Sequence, residues 1–277
     1  MKNRSFFSYV FGGFILALAM YFLAYGFPAW PQKRAPSLEE IKQAESDYSA
    51  GENAKTIFER KQAFNKALRA FQQLEQHYQP DYGNGQLYYD LGNTYYQLGE
   101  YSLAVYYYER ALALEPGSSD ALNNLNQALN KLGLNPSQAD QGSLFHSVFF
   151  FHYFFSLPQR LTLFFAFTLL TFFLLSFGIW YGWRWISFPI ALTGAASLLF
   201  LGSALYSRYL APVQGVVIQG TTLYRDAGEE YAKVTDKPLS PGIKVEILDY
   251  RQEGKWLKIL TPEGTLGYIK QDAVRIL

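Results

Sequence analysis

The three histidines, His77, His146 and His152, are the side chains best suited to metal or acid–base chemistry in this chain. His146 and His152 stand six residues apart in LFHSVFFFHYFFSL. On a helix that spacing turns one ring about 120° from the other, and no carboxylate in the run completes a metal site. His77 stands apart, at the end of a helical segment. The chain has no cysteine, which removes thiolate ligands, a cysteine nucleophile and disulfides without locating the compartment. No Ser-x-x-Lys, Gly-x-Ser-x-Gly or phosphate-cradling glycine loop appears. The residues therefore point away from an enzyme and require no metal or cofactor. A net charge of +1 supplies no field to recruit nucleic acid.

The remaining chemistry is recognition. YYDLGNTYYQLGEYSLAVYYYERALALEP, from Tyr88 to Pro116, spaces large and small residues regularly. Counted from Gly85, Tyr88, Leu91-Gly92, Tyr95, Gly99, Ala104, Tyr108, Ala111 and Pro116 fall on the pattern of a tetratricopeptide repeat, which this stretch resembles. In that pattern Gly92, Ala104 and Ala111 let two antiparallel helices approach closely while the rings fill the gaps between repeats. The same frame turns Gln86, Tyr89, Asn93, Tyr96 and Gln97 toward the groove that such arrays use for peptides. In the next helix, DALNNLNQALNKLG, it selects Asp120, Asn123, Gln127, Asn130 and Lys131. Asparagine and glutamine donate to and accept from a peptide backbone, and tyrosine adds flat contact area. An equally simple reading makes these the wet face of two helices. The basic residues of a carboxylate clamp are missing, which argues against capture of a free C-terminus.

An all-α array of this kind, an α-solenoid, is expected over residues 37–134. Ser37-Leu38-Glu39-Glu40 is a capping box that starts a helix, with Gly51 as its end. A longer helix with Phe64, Ala67, Phe71 and Leu74 inward runs to about Tyr78. The helix after Ser119 puts Leu122, Leu125, Leu129 and Leu132 on one face and serves as a cap.

The chain is also rich in apolar runs. Residues 1–31 begin with Lys2 and Arg4 and continue without charge, the form of a cleaved signal peptide or a retained N-terminal anchor. Residues 161–207 contain a single charge, Arg184. One helix of that length would be about 70 Å long, over twice the hydrocarbon thickness of about 30 Å. Two transmembrane helices with a turn at 182–184 are therefore expected. Trp180, Tyr181, Trp183 and Trp185 cluster there as rings at headgroup level. Ala191, Gly194, Ala195 and Ser197 would let the helices approach. No ionisable residue sits mid-span to suggest a pore. Residues 144–158 are too short to span and read as an aromatic interfacial elbow.

Residues 213–277 alternate apolar residues between turn signals at Pro241-Gly242, Glu253-Gly254 and Glu263-Gly264. Val216-Val217, Gly242 before Val245, Gly254 with Trp256 and Ile259, and Gly264 with Gly267-Tyr268-Ile269 resemble a bacterial SH3-like (SH3b) domain, a small all-β barrel. The resemblance implies binding of cell-wall peptides or proline-containing segments, or packing alone. Tyr224, Trp256 and Tyr268 are the candidate rings, with a core role favoured for Trp256.

Export signal, tetratricopeptide array, membrane hairpin and SH3b domain together resemble the E component of the Bat (aerotolerance operon) proteins. That resemblance implies a multi-pass protein of the bacterial cytoplasmic (inner) membrane. It implies membrane partners with von Willebrand A-type domains and a role in stress tolerance or envelope maintenance. A tether that reads peptidoglycan peptides through the barrel is the alternative. Two crossings leave both modules on one face. That face is the outer one if the N-terminal segment directs export, although positive charges near the spans do not settle sidedness.

Overall fold

The computed structural model describes residues 38–78, 85–135, 150–182 and 184–277. The N-terminal segment 1–31, Ser37 of the capping box, His146 with the first part of the elbow, and Trp183 lie outside the described residues. The chain divides into two compact units, one holding Pro36–Ser156 and Leu210–Leu277 and the other Leu157–Tyr209.

The first unit opens with five helices: α1 (Leu38–Glu52), α2 (Ile57–Tyr78), α3 (Gly85–Leu98), α4 (Tyr101–Leu114) and α5 (Ser119–Lys131). Local signals set several ends. Thr56 Oγ1 accepts from the Glu59 amide at 3.2 Å while Glu59 Oε2 accepts from the Thr56 amide at 3.3 Å, a capping box opening α2. Ser118 Oγ accepts from the Ala121 amide at 3.3 Å and opens α5. Gly99, with φ +86, ends α3 in the left-handed conformation. It lets the Gly99 and Glu100 amides reach the Tyr96 and Tyr95 carbonyls at 3.1 and 2.9 Å.

Two glycines set how closely the helices pack. A Cβ on Gly92 would stand 2.6 Å from Tyr108 Cδ1, and one on Gly51 would stand 2.8 Å from Phe64 Cδ1. Gly51 lies inside α1, one residue before its end, so its role is close approach to the Phe64 ring more than termination.

Around these contacts Phe71, Leu74, Leu87, Tyr88, Leu91, Tyr95, Val105, Tyr107 and Tyr108 form a buried core. Buried phenols need partners. Tyr107 donates to Glu75 Oε2 at 2.9 Å and Gln72 Nε2 donates to the Tyr95 hydroxyl at 2.8 Å. Arg110 pairs with Glu75 at 2.6 Å. Its guanidinium lies 3.8 Å from the Tyr88 ring centre and also donates to the Tyr88 hydroxyl. Burial raises the Tyr88 and Tyr107 hydroxyls, so both stay protonated donors.

On α5 the buried residues are Ala121, Leu125 and Ala128. Leu125, Leu129 and Leu132 pack inward with these alanines, whereas Leu122 is 49 % exposed. Small residues let α5 sit close against α4. Phe150–Phe154 forms the short helix α6 within the elbow, and its Phe151 is buried.

The same unit ends in five antiparallel strands: β1 (Val213–Val217), β2 (Lys244–Arg251), β3 (Trp256–Leu260), β4 (Leu266–Lys270) and β5 (Val274–Ile276). Their order is β4-β3-β2-β1-β5. The sequence leads one to expect a closed barrel; the sheet is open, with β4 and β5 at its edges. A bulge between Ile247 and Asp249 bends β2. Val217, Leu223, Val245, Ile247, Leu257, Ile259 and Ile269 form its own core.

Alternation along β1 joins the sheet to the helices. Val217 points into the sheet's core and Val216, its neighbour, into the helical one. Ser102 Oγ on α4 donates to the Ile218 carbonyl at 2.7 Å, and Lys244 on β2 pairs with Glu109 on α4 at 2.8 Å. A Cβ on Gly242 would meet the side chains of Leu132 and Leu134. The sheet thus covers a face of the array.

The second unit is a helical hairpin, α7 (Leu157–Tyr181) and α8 (Ser187–Leu205). Its turn passes through Gly182, at φ +69, and a 3₁₀ turn at Arg184–Ile186. Thr168 and Ser197 hydroxyls lie 2.6 Å apart, Thr171 donates to Thr193 at 2.8 Å, and Phe167 stacks on Phe200. The seam on α8 is therefore Thr193, Ser197 and Ser203-Ala204, which are buried, while Ala191 and Ala195 face outward. Hydroxyls that also bond carbonyls of their own helix cross-link such hairpins without an unsatisfied donor. Arg160 is 5 % exposed and donates to the Ser203 carbonyl and hydroxyl at 3.2 and 2.8 Å.

Candidate functional site

The helices α1, α3 and α5 line one side of the array, and between them lies a cleft of about 300 Å³. Its walls are Tyr48 and Glu52 from α1, Tyr89, Asn93, Tyr96 and Gln97 from α3, Tyr108 from α4, and Asn124 and Gln127 from α5. Positions four apart on α3 fall on one side of the helix, which is why Tyr89, Asn93 and the pair Tyr96-Gln97 open onto the same space.

The floor is an amide–phenol network. Asn93 Oδ1 accepts from the Tyr108 hydroxyl at 2.7 Å and from Asn124 Nδ2 at 2.8 Å. Asn124 also donates to the Tyr89 hydroxyl at 3.2 Å. At the rim Arg60 donates to Gln97 Oε1 at 2.6 Å and lies over the Phe64 ring. Burial, aided by the charge of Glu52, pushes the Tyr48 hydroxyl up to about 12, and burial raises Tyr108 as well. These phenols therefore remain neutral donors at any physiological pH. Such a surface can hydrogen-bond an extended backbone and stack against side chains.

Of the groove residues read from the sequence, Tyr89, Asn93, Tyr96, Gln97 and Gln127 converge on the cleft. Gln86 is exposed and donates to Asp90 at 3.0 Å. Asn123 and Asn130 are exposed outside the lining, as are Asp120 and Lys131, because α5 is turned so that Asn124 faces inward. Tyr48, Glu52, Tyr108 and Asn124 were not legible as site residues. One signal for Tyr48 is that Ala44 and Tyr48 repeat the spacing of Gly92 and Tyr96, with Ala44 fully buried.

The sheet's candidate rings are placed differently. Trp256 is 7 % exposed and meets Tyr224 edge-on at 5.6 Å. Tyr224 and Tyr268 exchange backbone hydrogen bonds at 2.9 and 2.8 Å, and Lys258 lies 6.0 Å from the Tyr268 ring. The three rings are neighbours in the sheet's packing. Among the described residues no group of three histidine, aspartate or glutamate side chains could hold a metal ion.

Residues 85–118 match the tetratricopeptide repeat family. Comparison with curated proteins finds no match. The matched repeat is a protein-interaction fold, and it contributes the α3 wall of the cleft and Tyr108. Leu157–Tyr181 and Ser187–Leu210 are long and apolar enough to cross a membrane.

Proposed function

We propose that this chain is a non-enzymatic, membrane-anchored scaffold that holds a protein partner in the cleft between α1, α3 and α5. One observation carries this reading: side chains from four helices converge as phenols and amides around a space of about 300 Å³. Asn and Gln side chains match the donors and acceptors of an extended peptide without demanding one sequence. The resemblance to Bat E-type proteins makes the partner a membrane protein with a von Willebrand A-type domain, in an envelope complex linked to stress tolerance. The kinked β2, and β1 set between β2 and β5, support reading the sheet as an SH3-like module.

The contact between the array and the sheet supports the topology. Ser102 and Glu109 precede the hairpin in sequence, and Ile218 and Lys244 come after it, yet they bond directly. With both apolar helices crossing, the chain leaves and returns on one face, the outer one in this reading. The chain lacks cysteine, so a cysteine introduced at Asp120 and one at Lys255 should react alike with an impermeant maleimide; opposite reactivity would reject it.

The partner reading is tested by capture from a neutral-detergent extract of the native membrane. Tyr89→Ala with Asn93→Ala and Tyr96→Ala should abolish recovery of the co-purifying membrane proteins while the helical circular dichroism stays unchanged. Undiminished recovery would place the partner surface elsewhere.

A further inference from the structure

The cleft's lining combines aromatic rings with a carboxylate. Tyr48, Tyr89, Tyr96 and Tyr108 supply four phenol rings, Glu52 supplies a carboxylate, and no lysine or arginine is among the lining residues. The negative field is already felt inside it. Glu52 and Asp90 both oppose ionisation of the Tyr48 hydroxyl, so a positive charge placed there is favoured by the same groups. Among the described residues Glu52 makes no ion pair.

The molecule contains the filled version of this arrangement. Behind α3 the Arg110 guanidinium lies 3.8 Å from the Tyr88 ring centre and 5.6 Å from that of Tyr106, with Glu75 as counter-ion at 2.6 Å. Rings and one carboxylate hold a cation there through ring quadrupoles and charge together. The cleft presents the same kinds of group facing outward. Its rim already accepts a guanidinium, that of Arg60 on Gln97 Oε1.

We infer that the cleft recognises a lysine or arginine side chain on an extended segment of the partner, its cation among Tyr48, Tyr89 and Tyr96 and paired with Glu52, and the segment's backbone on Asn93, Asn124 and Gln127. This rests on the cleft being the partner site and adds the chemistry that it selects.

The test uses the full chain in neutral-detergent micelles and fluorescein-labelled Gly-Ser peptides that differ only in a central lysine, arginine, norleucine or glutamate. Anisotropy should show the lysine and arginine peptides binding about tenfold tighter than norleucine, and glutamate weakest, the increment expected of a cation–π and carboxylate pair. Glu52→Gln should remove most of that preference, and Tyr96→Leu should weaken both basic peptides, while Glu39→Gln, an exposed acid outside the cleft, changes nothing. Equal binding of norleucine and lysine, or a preference that survives Glu52→Gln, overturns the cation assignment. If membrane capture still depends on Tyr89 and Tyr96 in that case, the partner reading stands without it. If capture is also indifferent to them, both fall.

Discussion

In the helical cleft Tyr89 and Tyr96 are half-buried and border open space, whereas on the sheet Trp256 is almost wholly buried and pressed edge-on against Tyr224. Both regions are rich in rings, and both offered ring residues as binding candidates. They differ in what surrounds the rings. The cleft rings stand among amides that keep spare donors and acceptors. Trp256 opens β3, an inner strand flanked by β2 on one side and β4 on the other. Helices that pack along one stripe leave the opposite side wet, whereas on this sheet it is Trp256 that is packed away, with Tyr224 and Tyr268 half-buried. Aromatic content alone therefore does not mark a site; the neighbouring polar groups do.

The largest effect that would break this comparison is on the sheet. Trp256→Ala should cost about 3–5 kcal/mol, the usual range for deleting a buried tryptophan. Because β1 feeds Val216 into the helical core, the thermal transition of the helices should fall with it. A variant that kept its melting temperature but lost binding would make Trp256 a contact residue and erase the distinction. Tyr96→Ala is the opposite case. Its ring is half-buried, with an edge-on contact to Tyr101 at 5.3 Å, so a loss of only about 1 kcal/mol in stability is expected. Partner capture should nevertheless fall sharply. A stability loss as large as that of Trp256→Ala would show that the cleft rings are core as well.

How far each region was legible depends on periodicity. A frame fixed by Tyr88, Leu91, Gly92 and Tyr95 assigns every other position of α3 to a face, which is why Tyr89, Asn93, Tyr96 and Gln97 could be named. The frame weakened on α5, where Leu125, Leu129 and Leu132 pack inward with Ala121 and Ala128 but Leu122 does not; there Asn124 and Gln127 line the cleft, while Asn123 and Asn130 stay outside it. On α1 only the Ala44–Tyr48 spacing repeats that of Gly92 and Tyr96; nothing in the pattern marks Glu52 as a partner of α3. Of the small residues read as the hairpin's seam, Ser197 lies in it and Gly194 faces Thr171, while Ala191 and Ala195 face outward; Thr193 was not legible, since a hydroxyl that bonds its own helix looks like an ordinary apolar-helix residue in sequence. Strand positions were marked by their turn glycines, but whether the sheet closed depends on how its edge strands meet, and that it packs on α4 depends on contacts more than a hundred residues apart, such as Ser102 with Ile218.

The finest way to sharpen the comparison is pH, through Asp90 on α3. Burial, with the charge of Glu45 adding to it and the hydrogen bond from Gln86 opposing it, raises this carboxyl from 3.8 to about 7. The folded chain therefore holds a proton between about pH 4 and pH 7 that the unfolded chain releases. Stability must then fall as pH rises through that window, and above it the fold carries an ionised group in a poorly solvated place. Asparagine keeps an acceptor for Gln86 and removes the charge. Asp90→Asn should melt at a higher temperature than the parent at pH 8, and the gap should close as the pH approaches about 4. A gap that is constant with pH would mean that Asp90 titrates normally. The carboxylate also adds to the field at Tyr48, so the same variant should weaken the lysine peptide more at pH 8 than at pH 6, where Asp90 is mostly protonated in the parent. If the loss is instead equal at both values, Glu52 alone supplies the cleft's negative charge.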